Sequence, residues 1–158
     1  MNQIIAILMV ALAYVIGAVP VGLLIVKRMT GKDIRMVGSG RSGATNVIRA
    51  AGMAAGITTA LLDLVKGALP IWLVKLVLPD WPWAHVLTGV AAVLGHNYSI
   101  FLREVVTNPK TGRARTVLRG GAGGVTTVGG AIGLWAWTGA ILVPTGAAFL
   151  FGIGYASV

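Results

Sequence analysis

The sequence predicts an all-α integral membrane protein with about five transmembrane helices and two glycine-rich loops on the cytoplasmic side. Three observations carry that expectation. Only 11% of the 158 residues are charged, against about 25% in soluble domains, too few to cover a water-facing surface. The mean hydropathy is +0.86, and apolar stretches reach the roughly 20 residues that a helix needs to cross a hydrocarbon core. All but Lys66 and Lys75 of the 13 Lys and Arg residues fall in two loops, as they do in cytoplasmic loops of membrane proteins.

The same composition narrows function. The net charge of +9 lies in loops that lack interleaved aromatic residues. It reads as a topology signal and as counter-charge for lipid headgroups or phosphorylated substrates, so nucleic acid is not expected as a partner. Without cysteine there is no disulfide, thiolate nucleophile or thiolate-ligated metal. His85 and His96 are the two histidines and the four carboxylates are scattered, which argues against a metal site.

Residues 4–26 form the first apolar span, with Pro20 predicting a kink and Ala18 and Gly22 a close-packing face. Lys27, Arg28, Lys32, Arg35, Arg41 and Arg49 follow, opposed by Asp33, which makes this loop cytoplasmic and puts the N-terminus outside. Within it, Val37 to Arg49 reads V-G-S-G-R-S-G-A-T-N-V-I-R. Glycines that turn N–H groups inward, hydroxyl and amide donors, and the start of a helix suit a phosphate. The competing reading is a membrane loop whose glycines make turns and whose arginines face headgroups.

The second span, 50–78, carries Asp63 and Lys66, three apart on one helical face. Either they form a structural ion pair, or Lys66 points into a polar cavity and holds an anion. Lys75, near the span's end, is expected to snorkel to the headgroups. Pro79-Asp80-Trp81-Pro82 makes an outer turn, with Trp81 and Trp83 at the interface.

The third span, 83–102, has His85 at its outer end, read as a headgroup contact, and His96 at its inner end. His96 is open to two readings, a histidine bonded between helices or a catalytic group. A small cytoplasmic hairpin is predicted over 104–117, turning at Asn108-Pro109-Lys110-Thr111-Gly112. Arg119-Gly120-Gly121-Ala122-Gly123-Gly124 then opens a second glycine-rich element, which suits an anion loop, or tight helix packing through Gly129 and Gly133, or both. Spans 120–137 and 139–158 complete a single polytopic domain covering 1–158, with a break near Trp137-Thr138-Gly139 and a kink at Pro144. The chain stops at Val158 within apolar sequence, which predicts that further chain follows.

Taken in order, G-S-G-R-S-G-A-T-N-V-I-R, D-L-V-K-G, G-H-N-Y-S-I-F-L and R-G-G-A-G-G-V-T-T-V-G resemble the motifs of the bacterial acyl-phosphate:glycerol-3-phosphate acyltransferases, the PlsY family. The resemblance implies a helical enzyme of the bacterial inner membrane, with its motif loops cytoplasmic. It implies transfer of a fatty acyl group from acyl phosphate to the 1-hydroxyl of glycerol 3-phosphate, giving lysophosphatidic acid in phospholipid synthesis, with no cofactor and no metal. Carried over onto matching positions, Ser39 and His96 are the catalytic candidates. Gly38, Gly40, Gly43, Thr45, Asn46, Arg49, Lys66, Arg119, Gly120, Gly121 and Gly123 are the substrate-binding ones.

The chain departs from the family's pattern at Arg41, usually asparagine, at Ser99, usually proline, and at Ala122, usually lysine. Arg41, Arg119 and the arginines of the long second loop are the candidates to compensate for Ala122. The alternative expectation is a noncatalytic membrane homologue that keeps a phosphate or headgroup site. A transporter component is a weaker alternative, because no internal repeat is present.

Overall fold

The structure, a computed structural model, describes residues 1–107 and 111–148. Helix α1 (Asn2–Ala18) and helix α2 (Val21–Thr30) form the first apolar segment. The expected kink is a full break at Val19-Pro20. The broken helix leaves carbonyls without helical donors, and side chains supply them: Ser99 Oγ donates to the Ala18 carbonyl at 2.5 Å, and Lys66 Nζ to that of Val19 at 2.9 Å.

After α2 the chain makes a single 3-10 turn, Ile34–Met36, and the first glycine-rich loop before helix α3 (Ala44–Ala51). Gly52, at φ +89°, separates α3 from the 25-residue helix α4 (Met53–Val77). The second long helix therefore starts at Met53 and not at residue 50, and the loop has its own short helix. Helix α5 (Pro82–Asn97) is shorter than the predicted third span because the chain turns at Ser99, whose Oγ also accepts from the Phe101 N–H.

Strands β1 (Arg103–Thr107) and β2 (Ala114–Leu118) pair antiparallel, Arg103 opposite Leu118 and Thr107 opposite Ala114. This is the predicted hairpin; residues 108–110 of its turn lie outside the described residues, and Gly112, at φ +66°, closes it. Helix α6 (Gly124–Leu134) follows the second glycine-rich loop and starts at Gly124, not at residue 120. Helix α7 (Thr138–Ala148) begins near the predicted break; residues 149–158 of the expected fifth span, with the chain end at Val158, lie outside the described residues.

The distribution of side chains is inverted relative to a water-soluble bundle. Ile4, Leu8, Leu61, Trp72, Leu76 and Leu87 point outward, while Asp63, Lys66, Thr88, His96 and Thr126 are buried. Among the described residues, one helical segment, Asn2–Thr30, is long and apolar enough to cross a membrane by length and composition.

Small residues let the backbones touch. Helix α1 packs along α5, where a Cβ on Gly17 would overlap the backbone of Ala92 and one on Gly95 that of Tyr14. Helix α4 packs along α6 in the same way, Gly67 against Thr126 and Gly129 against Leu64, with Gly133 on Ala68 and Ile71. Gly22 likewise abuts the Ser42 carbonyl and Val47, so the small face of the first segment serves the first loop.

Two expectations are corrected. His85 is buried, and its Nε2 lies 2.8 Å from the Leu78 carbonyl, so it ties down the turn between α4 and α5 and does not meet headgroups. Lys75 does not run free to the interface. Its Nζ donates to the carbonyls of Gly133 at 2.9 Å and Leu134 at 2.6 Å, capping the C-terminus of α6.

Candidate functional site

The first loop is built on two side chains. Asp33 accepts hydrogen bonds from the Arg35 backbone N–H and guanidinium, the shortest at 2.6 Å. The hydrogen bond from the Arg35 side chain, with the backbone bond behind it, holds the Asp33 carboxyl at about 2. The same partner pushes the Arg35 guanidinium up.

Asn46 reaches back from α3, and its Nδ2 donates to the carbonyls of Val37 at 2.8 Å and Arg41 at 2.9 Å. A Cβ on Gly38 would collide with Asn46 Oδ1. The amide thus pins both ends of the segment that carries Ser39. Ser39 is exposed, and its Oγ accepts weakly from the Arg41 N–H at 3.4 Å.

The second loop wraps the C-terminal end of α5. The Gly121 N–H donates to the His96 carbonyl at 3.1 Å, and a Cβ on Gly121 would strike the His96 ring. A Cβ on Gly120 would overlap the His96 carbonyl and crowd that of Asn97. Gly123, at φ +83°, packs on the Asn97 amide, and its carbonyl accepts from the Thr127 N–H and Oγ. His96 is buried, with Nδ1 at 3.7 Å from Asp63 Oδ1, and the same carboxylate oxygen is 2.8 Å from Lys66 Nζ.

Two adjoining cavities open between the loops. The larger, of about 400 Å³, is lined by Ser39, Arg41, Asn97, Tyr98, Arg119 and their neighbours at Val117, Leu118, Gly120 and Gly121. The smaller, of about 140 Å³, is lined by Ser39, Arg41, Asp63 and His96, by Gly43 to Asn46 at the start of α3, and by Ala122 to Val125 at the start of α6. Ser39 and Arg41 belong to both. Two helix N-termini on one small cavity give it the partial positive charge that suits an anion.

The structure thus brings together Ser39, Gly43, Thr45, Asn46, His96, Arg119, Gly120, Gly121 and Gly123 around one cleft. Gly40 is buried and lines neither cavity, and it and Gly121 differ from the expectation of N–H donors aimed at an anion. The Gly40 N–H donates to Val37 O at 2.9 Å and the Gly121 N–H to His96 O, so both shape the loops. Asn46 has its Nδ2 occupied by loop carbonyls.

Lys66 lines neither cavity; it neutralises Asp63 and holds Val19, the structural alternative for this pair. Arg49 and Gly38 also lie outside the lining, side by side on the exposed flank of the first loop. Arg119 pairs with Glu104 at 3.1 Å. The lining residues outside the site set expected from sequence are Ala44, Asp63, Asn97, Tyr98, Val117, Leu118, Ala122, Gly124 and Val125, together with Arg41, which entered as a candidate to compensate for Ala122. Asn97 and Tyr98 adjoin His96 in the third motif, and that adjacency was their signal.

The chain matches the family model described as glycerol-3-phosphate acyltransferase over residues 7–158. It is 43% identical over 121 residues to the glycerol-3-phosphate acyltransferase of Myxococcus xanthus, covering 77% of this chain and 56% of that one. It is 50% identical over 95 residues to that of Thermus thermophilus, covering 58% and 45%. The crystal structure of PlsY, an integral membrane glycerol 3-phosphate acyltransferase in its glycerol 3-phosphate form, superposes with a TM-score of 0.72 at 32% identity over 94% of this chain and 64% of that chain. The chain spans about half the length of the curated relatives it matches. An all-α integral membrane fold, inward polar groups and two glycine loops on a common cleft agree with a match that runs almost from end to end: the chain belongs to the glycerol-3-phosphate acyltransferase family.

Proposed function

We propose that this protein transfers a fatty acyl group from acyl phosphate to the 1-hydroxyl of glycerol 3-phosphate, giving lysophosphatidic acid and inorganic phosphate. The observation that carries this reading is the paired cavity with Ser39 and Arg41 common to both halves and a helix N-terminus from each glycine loop on the smaller half. Two phosphoryl groups held side by side repel, and arginines with oriented backbone dipoles are the groups that offset this.

In the reaction, the hydroxyl oxygen of glycerol 3-phosphate attacks the acyl carbon. The new ester C–O bond forms, the C–O bond of the mixed anhydride breaks, and its electron pair leaves with phosphate. The departing phosphate takes up the hydroxyl proton. Acyl phosphate carries its own leaving group, so the step needs no cofactor and no metal, only close approach and alignment.

Ser39 Oγ is the acceptor that aligns the attacking hydroxyl, and His96, the imidazole of the cleft, hydrogen-bonds the reacting groups. Thr45 and Arg119 bind phosphate oxygens, Gly43, Gly120 and Gly123 let them approach the backbone, and Arg49 with Gly38 adds attraction at the loop's flank. Gly40, Gly121 and Asn46 hold the loops in shape, and Lys66 keeps Asp63 neutralised. The protein is a single polytopic domain of the bacterial inner membrane, N-terminus outside, with both loops in the cytoplasm, as the distribution of Lys and Arg supports. Membrane lipids surround it.

The test is conversion of labelled glycerol 3-phosphate into lysophosphatidic acid by the protein in lipid nanodiscs supplied with palmitoyl phosphate. Conversion that Ser39→Ala lowers by about 100-fold or more, the scale of a lost transition-state contact, is the expected result. No conversion by folded protein would favour the second reading, a noncatalytic homologue with a phosphate or headgroup site. Its support is Ala122, an apolar side chain on the smaller cavity.

A further inference from the structure

Most cations near the cleft are already engaged. Arg35 is held by Asp33, Lys66 by Asp63 and the Val19 carbonyl, and Arg119 through its Nε by Glu104, which leaves its terminal nitrogens to the larger cavity. Arg41 differs. Its side chain is exposed and makes no ion pair or hydrogen bond among the described residues, yet it lines both cavities. It is also the one Lys or Arg lining the smaller cavity, where Ser39, Thr45, Asn46, Asp63 and His96 supply the other polar side chains.

The backbone beneath Arg41 is fixed. Its carbonyl accepts from Asn46 Nδ2 at 2.9 Å, its N–H points to Ser39 Oγ at 3.4 Å, and the preceding Gly40 is closed onto Val37 by a 2.9 Å hydrogen bond. An arginine side chain on a fixed stem at the junction of two cavities is within reach of both. Its planar fork suits two phosphoryl groups, which a compact ammonium serves less well.

We propose that Arg41 is the shared phosphate anchor of the cleft, one guanidinium bridging the anion of the smaller cavity and the anion of the larger. The bridging of two substrates rests on the acyl-transfer reading; the phosphate contact in the smaller cavity does not. Ala122 lines that same smaller cavity, so a lysine introduced there reaches the same space from the opposite loop.

The experiment measures equilibrium binding of inorganic phosphate and of glycerol 3-phosphate to the protein in nanodiscs, with acyl transfer from palmitoyl phosphate assayed in parallel. The variants are Arg41→Asn, the double variant Arg41→Asn with Ala122→Lys, and Arg113→Ala, which removes the same charge from the exposed hairpin. Arg41→Asn is expected to weaken phosphate binding by at least about 30-fold. The double variant is expected to recover most of that loss, and Arg113→Ala to stay within about threefold of the parent, as a screened surface charge does.

Four results would overturn the proposal: no phosphate binding by the parent protein, unchanged binding by Arg41→Asn, an equal loss in Arg113→Ala, or no recovery in the double variant, which would mark Arg41 as a shaping residue. Binding that depends on Arg41 without any acyl transfer supports the anchor and removes the transfer reading. Transfer with glycerol 3-phosphate binding unaffected by Arg41→Asn does the reverse.

Discussion

At the scale of single residues, buried polar groups do the organising. Lys66 and Asp63 form a buried pair, so removing one partner strands the other: Lys66→Met is expected to cost about 3 to 5 kcal/mol, and adding Asp63→Leu to recover most of it. Reversible unfolding in mixed micelles measures both. Ser99→Ala leaves the Ala18 carbonyl, opened by the break at Pro20, without its donor, and is expected to cost about 1 to 3 kcal/mol in the same assay.

Asp33 gives a pH signature. Its carboxyl is lowered from 3.8 to about 2 in the folded loop, so its contribution is fully present above the unfolded value and is lost as pH falls through about 2. A carboxyl titration by NMR is expected to show Asp33 still ionised at pH 3. Arg35→Gln is expected to return it towards the ordinary aspartate value.

At the scale of elements, the sequence was legible where a residue type has one strong consequence. Pro20 announced a kink where the helix breaks outright, Asp63 and Lys66 a pairing as one of two readings, and the turn signal after Thr107 the hairpin. It was illegible where the outcome depends on a partner far along the chain. Nothing local to Lys75 shows that the last carbonyls of α6 lie beside it, and nothing near His85 reveals the Leu78 carbonyl as its partner. Gly52 was hidden for another reason: a glycine between alanine and methionine continues a helix as readily in apolar sequence as it ends one, and only its positive φ separates α3 from α4.

The packing of α4 on α6 depends on backbones in contact, so Gly129→Val, whose branched side chain meets the Leu64 carbonyl, is expected to destabilise by about 1 to 3 kcal/mol. A lowered thermal midpoint in nanodiscs is the readout, and an unchanged midpoint would show that the two helices separate without cost.

For the molecule as a whole, the cleft draws on the first loop, the middle of α4, the end of α5 and the second loop. No window of sequence contains it. The motifs named its parts, because glycine, serine and threonine before a helix suit an anion wherever they occur. Which part touches ligand and which holds shape was decided only by three-dimensional neighbours: Asn46 turns back to its own loop, Lys66 turns to Asp63, and Arg41 turns to the cavities.

The central claim is that this cleft joins an acyl phosphate to a phosphorylated acceptor. It is tested most directly by release of inorganic phosphate from palmitoyl phosphate in nanodiscs, with and without glycerol 3-phosphate, beside a Ser39→Ala, Arg49→Ala control. The account predicts release that rises with glycerol 3-phosphate and vanishes in the control. Release that is the same with and without the acceptor, or no release above the control from folded protein, would contradict it.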